Sequence, residues 1–352
     1  MVVMVGIDVH KGTHTAVAVD EVGRELGQRT VRATDAGHRQ LLRWALREFG
    51  EADQLRFAVE DCRHVSTRLE RALLDAGQAV LRVPPKLMAS ARSSARTRGK
   101  SDPIDALAIA RAALREPRLP VASHDSVSRE IKLLVDHRED LVNTRTEMQN
   151  RLRWHLHELD PELDPTPRTL GRLETLDGIA KFLAAQPCSM LVRIATELVG
   201  DIRELTMRAR QLEKEITERI QAAAPRLLEL PGCGPLTAAK IVGETANVTR
   251  FRSEACFAMH AGAAPIPASS GKTNRHRLAR GGNRQLNAAL HRIAITQIRL
   301  DGPGRIYYQR RLALGNTKME ALRAMKRRLA RVVFNTLQPD TTVQPTALPA
   351  AA

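Results

Sequence analysis

The sequence predicts an α/β domain at the N-terminal end of the chain, a long helical connector and then a second, α-helical domain. Three observations lead to this prediction. Short apolar runs alternate with amphipathic stretches over residues 1–125. Two long, highly charged stretches of helical period occupy residues 126–224, without strand signals. Residues 225–337 carry helical patterns separated by turns, and the Pro/Thr/Ala-rich tail at 338–352 is expected to be disordered.

The first domain is predicted element by element. Val2–Val9 is a continuous apolar run, as expected of a strand buried on both faces. An alternating stretch around Val17 and another that ends near Val31 complete a three-stranded meander. The later elements are a helix capped by Asp35, a strand at Leu55–Val59, a helix at Val65–Leu74, a strand at Ala79–Val83 and a helix that opens at Asp102. This order, βββ-α-β-α-β-α, is typical of an RNase H-like domain.

The connector carries two long helical stretches, Ile131–Leu159 and Leu198–Ile220, with breakers between them. An apolar residue recurs every three or four positions along the second stretch. This pattern fits either an antiparallel hairpin within the chain or a coiled coil between two chains. Dimerisation through these helices is the functional interpretation, and the internal hairpin is its alternative.

Bulk charge indicates the class of partner. The 352 residues include 55 Lys and Arg against 39 Asp and Glu, a formal net charge of +16. Such an excess favours a polyanion, because basic side chains release counterions from phosphates. A generally arginine-rich protein is the alternative. Aromatic residues make up only 3% of the chain, which argues against a stacking platform for single-stranded bases.

The compartment predicted from the sequence is the cytoplasm. No apolar run approaches the roughly 18 residues that a membrane span needs, and the N-terminus has no signal-peptide pattern. The four cysteines are far apart and form no CxxC motif, so we expect reduced thiols and neither a zinc site nor disulfides. They are Cys62, Cys188, Cys233 and Cys256.

Carboxylates stand where buried strands end. Asp8 lies near the end of the first strand and Glu60 directly after Leu55–Val59. In the predicted topology these strands are adjacent and parallel, so both acids emerge at one edge of the sheet. Two anions there repel each other unless a cation lies between them, and Mg²⁺ is the hard, oxygen-seeking ion most suited to that place.

A second acidic pair, Asp102 and Asp105, opens the helix that follows. Three positions apart, these residues lie on one helical face. The alternative is simple capping, with Asp102 as the N-cap and Pro103 as the first helical residue. Together with Asp8 and Glu60, the pair predicts four ligands for two Mg²⁺ ions about 4 Å apart, an arrangement that serves phosphoryl transfer.

The C-terminal domain carries two motifs for nucleic acid. Residues 230–238 resemble a helix-hairpin-helix turn, in which glycines let the backbone approach a phosphate, although an ordinary glycine-capped junction is the alternative. Tandem serines, Ser269 and Ser270, precede a basic run. One serine is a candidate nucleophile, and helix capping or phosphate contact without reaction are its alternatives. The predicted nucleic-acid contacts are Arg92, Arg96, Arg98, Lys100, Gly232, Gly234, Lys272, Arg275, Arg277, Arg280 and Arg284.

Two sets of motifs in order resemble one known family. They are Gly6-Ile7-Asp8-Val9-His10-Lys11, Glu60, Lys100-Ser101-Asp102 and Asp105-Ala106, then Leu230-Pro231-Gly232-Cys233-Gly234, Ala261-Gly262, Pro265, Ser269-Ser270-Gly271-Lys272 and Arg280-Gly281-Gly282-Asn283-Arg284. The chain resembles the DEDD transposases of bacterial insertion sequences, the IS110 family, up to about residue 335. Many relatives have a glycine shortly after the glutamate, where this chain has Asp61, a rival ligand to Glu60.

The resemblance implies a RuvC-like first domain, a coiled-coil connector and a C-terminal transposase domain with a catalytic serine. It implies metal ligation by Asp8, Glu60, Asp102 and Asp105, and a covalent phosphoserine link through Ser270, with Ser269 in reserve. It also implies dimers that assemble into tetramers, with active sites built from two subunits. A structured non-coding RNA (bridge RNA) would pair with the double-stranded donor and target DNA.

The residues leave two rival functions open. A metal-only nuclease or Holliday-junction resolvase would use the same carboxylates, with the serines as phosphate contacts. A non-catalytic nucleic-acid-binding protein would use the acids only as caps. Buried acids at strand ends argue against this second rival, because an uncompensated charge there costs several kcal/mol.

Overall fold

The computed structural model describes residues 2–338 except 53, 61–62, 86, 89–100, 117–118, 124, 167, 270–275, 278 and 280. The chain divides into two compact units, Met1–His124 with Thr249–Phe251, and Asp125–Val248 with Arg252–Ala352. The predicted disordered tail falls almost wholly outside the described residues. None of the described helices is long and apolar enough to cross a membrane.

The first unit is built on a five-stranded mixed sheet. Its strands are β1 (Val2–Val9), β2 (Thr13–Val19), β3 (Glu25–Arg32), β4 (Gln54–Glu60) and β5 (Val80–Val83). The sheet order is β3-β2-β1-β4-β5, in which β1, β2 and β3 pair antiparallel while β4 lies parallel to both β1 and β5. The predicted meander and the predicted adjacency of β1 and β4 are confirmed.

Helices cover both faces of this sheet. They are α1 (Asp35–Phe49), α2 (Arg63–Asp75) and α3 (Asp102–Arg115). Val5 and Ile7 belong to the core cluster that includes residues of α1 and α2, whereas Met4 and Ala58 belong to the cluster that includes α3. This alternation follows from the two-residue period of a strand and explains the continuous apolar run of β1.

One predicted helix cap is wrong. Thr34, and not Asp35, is the N-cap of α1, because its side chain accepts a hydrogen bond from the backbone N–H of Gly37. Asp35 is the first helical residue and forms an exposed ion pair with Arg68. Threonine and aspartate are both common N-caps, so the sequence Thr34-Asp35 did not decide between them.

The second unit begins with a pair of long helices. They are α4 (Ser126–Leu159) and α6 (Met190–Ala223), with α5 (Leu173–Ala184) between them. Cross-helix contacts join Glu130 to Arg219, Arg138 to Glu213 and Arg145 to Thr206. In these three pairs the residue number on α6 falls as the residue number on α4 rises, so α4 and α6 run antiparallel within the chain. The internal hairpin predicted as the alternative is therefore present, and dimerisation stays a prediction.

The rest of this unit is mainly helical. Its elements are α7 (Pro225–Leu228), α8 (Pro235–Thr245), α9 (Glu254–His260), β6 (Ile266–Pro267), β7 (His276–Arg277), α10 (Arg284–Arg299), α11 (Pro303–Ala313) and α12 (Lys318–Leu337). The short antiparallel ladder of β6 and β7 is an addition to the predicted α-helical C-terminal domain. Two-residue strands leave no periodic pattern that a sequence window can detect.

Candidate functional site

The buried strand β1 carries an acid into the interior of the first unit. Asp8 is only 6% exposed, although a fully hydrated aspartate is charged at neutral pH. Burial raises the pKa of the Asp8 carboxyl, and the charges of Asp105 and Asp102 raise it further, while His10 opposes them. The site is therefore a poor environment for a carboxylate unless a cation is added.

Close packing of α3 on β1 creates this environment. A Cβ added at Gly6 would lie 2.2 Å from the carbonyl oxygen of Ala106 and 2.4 Å from the backbone nitrogen of Ala110. Only glycine lets helix and strand backbones approach so closely. The approach holds the N-terminal turn of α3, with Asp102 and Asp105, beside the end of β1.

The first turn of α3 differs from the capping alternative. Ser101 is the N-cap, Asp102 is the first helical residue, and Ser101 makes no side-chain capping bond. The interpretation of Asp102 as N-cap is therefore wrong. Asp105 is 8% exposed and lies in the part of the helix that packs on the sheet.

A histidine joins the two aspartates. The Nε2 atom of His10 lies 3.0 Å from Oδ2 of Asp8 and 3.5 Å from Oδ1 of Asp102. One ligand atom from each of the three residues lies within 4.8 Å of the others, a spacing suited to a single metal ion. Two carboxylates, one of them desolvated, form a donor set that fits a hard divalent cation.

Glu60 lies at the same edge of the sheet but outside this three-residue cluster. Ile7 pairs with Val59 in the parallel register, which places Asp8 and Glu60 at neighbouring positions. Ile7 and Val59 belong to the cluster that includes α1 and α2, so the residues that follow them lie on the α3 face. The half-buried Glu60 ends β4. Its rival Asp61 lies outside the described residues.

Sequence reasoning did not assign a role to His10. The available signal was its position two residues after Asp8, because alternate residues of an extended chain share one face. A histidine next to a strand-end acid is too common to be singled out by spacing alone. Its bridging position depends on how closely α3 approaches the strand.

The described serine and glycine candidates lie in the second unit. Ser269 is exposed and follows β6. Gly232 has a φ of +83°, and a Cβ there would lie 2.8 Å from the side chain of Thr296 on α10. Packing therefore accounts for this glycine without a phosphate. Gly234 is the N-cap of α8 and has open space around it.

The basic candidates are only partly described. Arg277 ends β7 and is exposed, and Arg284 is the exposed first residue of α10. The other predicted residues of the serine loop and of the basic run before α3 lie outside the described residues. These are Ser270, Lys272, Arg275, Arg280, Arg92, Arg96, Arg98 and Lys100.

Comparison with known families gives two matches. Residues 5–161 match a family described as transposase, and residues 224–309 match one described as the IS116/IS110/IS902 family of transposases. The two matches together include more than half of the chain.

Individual relatives extend over nearly the full length. The 44.8 kDa protein of insertion element IS116 from Streptomyces clavuligerus is 29% identical, with 97% of this chain and 96% of that protein covered. The 43.6 kDa protein of insertion element IS110 from Streptomyces coelicolor is 25% identical, with 96% and 95% covered.

Among solved structures, the chain is similar to T. thermophilus RuvC in complex with a Holliday junction substrate. The identity is 17% and the TM-score 0.25, with 32% of this chain and 92% of that chain covered.

Proposed function

We propose that the chain is a member of the IS110/IS116 family of transposases and that it acts as an RNA-guided, Mg²⁺-dependent DNA recombinase with a serine nucleophile. The observation that carries the proposal is the meeting of Asp8 and Asp102 through His10, with Asp105 buried in the same helix turn. Capping does not account for an acid in the interior of a sheet.

In this proposal the metal ligands are Asp8, Glu60, Asp102 and Asp105. Bound Mg²⁺, as one or two ions, would supply Lewis-acid stabilisation of the charge that builds up on phosphate oxygens. The role of the chain is to hold the carboxylates in place before the metal binds. Gly6 achieves this by letting α3 press against β1. His10 orients Asp8 and Asp102 through its contacts with both.

The serine step is proposed for Ser270, with Ser269 as the reserve. The serine oxygen attacks a backbone phosphorus and loses its proton, and the bond from phosphorus to one sugar oxygen breaks. That sugar oxygen takes up a proton and leaves as the hydroxyl of one DNA fragment. The other fragment stays attached to the protein as a phosphoserine. A hydroxyl from another strand then reverses the chemistry and regenerates the serine.

The proposed partners follow from charge and family. A net charge of +16 suits double-stranded donor and target DNA together with a structured guide RNA. A homo-oligomer, a dimer that assembles into a tetramer, is proposed on the family resemblance. Apolar side chains left exposed on α4 and α6, such as Trp154 at 74% and Met190 at 61%, offer surface for such contacts.

The first experiment replaces Asp8 by Asn and follows thermal unfolding with and without Mg²⁺. Because burial raises the pKa of Asp8, the neutral Asn should make the metal-free protein more stable than wild type. Wild type should gain about 2.7 kcal/mol at a Mg²⁺ concentration of one hundred dissociation constants, and Asp8→Asn should gain none. The matched control is Asp75→Asn, an exposed acid at the end of α2, which should respond like wild type.

Recombination of plasmid substrates is measured on the same proteins. Loss in Asp8→Asn with activity kept in Asp75→Asn supports the proposal. An Asp8→Asn variant that responds to Mg²⁺ and recombines normally would falsify the metal role and favour a non-catalytic binding protein.

The second experiment separates the recombinase from a metal-only nuclease or resolvase. A nicked or suicide DNA substrate should trap a protein–DNA adduct in wild type and not in Ser270→Ala, while Ser269→Ala should still form it. Cleavage of DNA without any adduct would select the metal-only reaction. The guide RNA is tested separately. RNA should co-purify with the protein, and recombination should require that RNA.

A further inference from the structure

A basic cavity lies in the second unit, next to the β6–β7 ladder. Its volume is about 350 Å³, which falls within the range of ligand sites in proteins. The turn after α9, strand β7 and helices α11 and α12 supply its lining.

Cations dominate the lining. They are Arg277, Arg311, Arg323, Lys326 and Arg327, against a single lining acid, Glu320. Arg327 is neutralised by Glu254 at 2.7 Å. Glu320 forms the capping box at the start of α12. Among the residues that the structure describes, no carboxylate forms an ion pair with Lys326, Arg311 or Arg323, so the cavity keeps a positive charge.

Lys326 is the least expected of these cations, because it is only 7% exposed. Burial lowers the pKa of its ammonium group, and the charge of Arg323 lowers it further. Its Nζ donates a 2.8 Å hydrogen bond to the neutral Oδ1 of Asn287. An ammonium has three protons to donate, so one neutral acceptor compensates little of the lost hydration.

Asn287 holds the lysine in place. Its Nδ2 donates to the carbonyl oxygens of Ala261 and Gly262, at 2.8 and 3.0 Å. These two bonds settle which end of the amide faces Lys326. The ammonium is therefore a preorganised donor, which is what a site for an anion requires.

Arg311 adds a second incompletely satisfied donor. Its Nε is buried and has no hydrogen-bond partner within the described part of the chain. A guanidinium group presents its donors in a rigid fork that matches two oxygens of a phosphate. Both Arg311 and Lys326 line the cavity.

The cavity adjoins the base of the serine loop. Pro267 pairs with His276, and the stretch 268–275 between β6 and β7 contains both candidate serines. Pro265, His276 and Arg277, which flank this stretch, also line the cavity. A group bound in the cavity therefore lies beside the described residues that flank this stretch in the sequence.

We propose that this cavity binds a backbone phosphodiester of DNA through Lys326, Arg311 and Arg323. This inference rests on the proposed function, because it takes the nucleic acid that approaches the serine loop to be DNA. A phosphate satisfies both needs of the cavity at once, since it supplies negative charge to the buried ammonium and acceptors to the guanidinium groups. The arginines would bind the phosphate oxygens, and Asn287 is a positioning residue that acts through Lys326.

The test measures DNA binding of the full-length protein in EDTA, by fluorescence anisotropy of a labelled duplex at several salt concentrations. Arg311→Gln, Arg323→Gln and Lys326→Gln should each weaken binding about tenfold or more, as expected when a charged hydrogen bond is lost. The salt slope should fall by about one for each lost phosphate contact. The matched control is Arg310→Gln, which removes the same charge from the neighbouring, exposed position of α11 outside the cavity lining.

The outcomes separate this inference from the proposed function. If Arg311→Gln and Arg323→Gln bind DNA as well as Arg310→Gln, the cavity is not a phosphodiester site. If the cavity variants lose affinity only for an RNA of the same sequence, the assignment to DNA is overturned. The binding assay needs neither Mg²⁺ nor the serine. If Asp8→Asn recombines DNA normally, the catalytic proposal is refuted. A loss of DNA binding by the cavity variants would still support the phosphodiester site in that case. The Lys326→Gln result is used only if the circular dichroism spectrum of this variant matches that of wild type. If it does not, the two arginine variants alone decide the test.

Discussion

Gly6→Ala tests whether the approach of α3 to β1 builds the acid site. The added Cβ would lie 2.2 Å from the carbonyl oxygen of Ala106, and real Cβ contacts essentially never fall below 3.0 Å. The helix must therefore retreat by at least about 0.8 Å, the difference between those two distances. Since the obstructing atoms belong to the helix backbone, no side-chain rotation relieves the clash.

Two effects of known size follow from that retreat. Overpacking a core costs about 1–3 kcal/mol, and a backbone clash belongs at the upper end of this range. Typical domains have about 5–15 kcal/mol of stability, so the variant should still fold. A shift of about 1 Å at a catalytic group can lower a rate a hundredfold. Moving Asp102 away from Asp8 should therefore also weaken the response to Mg²⁺.

Urea unfolding gives the stability change, and the Mg²⁺-dependent shift in melting temperature gives the change at the site. Gly27→Ala is the matched control in the same sheet, because its Cβ would meet Trp44 at an ordinary 3.6 Å. It should be neutral or stabilising by up to about 1 kcal/mol, since glycine weakens a strand. If Gly6→Ala matches Gly27→Ala in stability and keeps the full Mg²⁺ response, the close approach does not build the site.

Two further predictions concern buried titratable side chains in the first unit. Burial, and the neighbouring ring of His38, lower the pKa of His14 to about 4, so the unfolded chain binds the proton more readily. The free energy of unfolding should therefore have its full value above pH 6.5 and fall by roughly 3 kcal/mol as the pH is lowered towards 4. Urea titrations at several pH values measure this change, and a His14→Leu variant should lose most of the pH dependence. Arg82→Leu removes the 2.6 Å ion pair of Glu70, which is 1% exposed and also accepts a hydrogen bond from the neutral Ser66 hydroxyl, and this should cost about 3–5 kcal/mol in the same assay. The exposed ion pair of Arg68 is the control, because Arg68→Leu should cost no more than about 1 kcal/mol, and equal losses would contradict the prediction.

The sequence predicts the sheet well because each strand carries its own signal. Residues 2–9 are apolar on both faces, and β1 is buried on both faces. Asp8 stands out against that run, so a strand-end acid is visible from one segment alone. The neighbouring positions of Asp8 and Glu60 were also predictable, because strand adjacency follows from element order, whereas the approach of Asp102 depends on how closely α3 packs on β1.

Other features depend on contacts that no single segment records. The apolar stripe of α6 fits a partner helix of the same chain as well as one from another chain, so periodicity did not choose between them. Lys326 lies in a basic, amphipathic segment that has the sequence pattern of a solvated face. Only the fold places it in the interior, on Asn287 from another helix.

The two units share one physical feature, a buried charge that its own neighbours compensate poorly. In the first unit it is the carboxylate of Asp8, beside two more acids, and in the second it is the ammonium of Lys326, beside Arg323. Each arrangement destabilises the free protein, and a ligand of the opposite sign would relieve it, the proposed divalent cation at Asp8 and the proposed phosphate at Lys326. Under the proposed function, nucleic acid with its bound Mg²⁺ would bring both. Neutral substitutions at the two positions should therefore strengthen the free protein while they weaken its complexes, whereas residues kept only for structure would weaken the free protein when replaced.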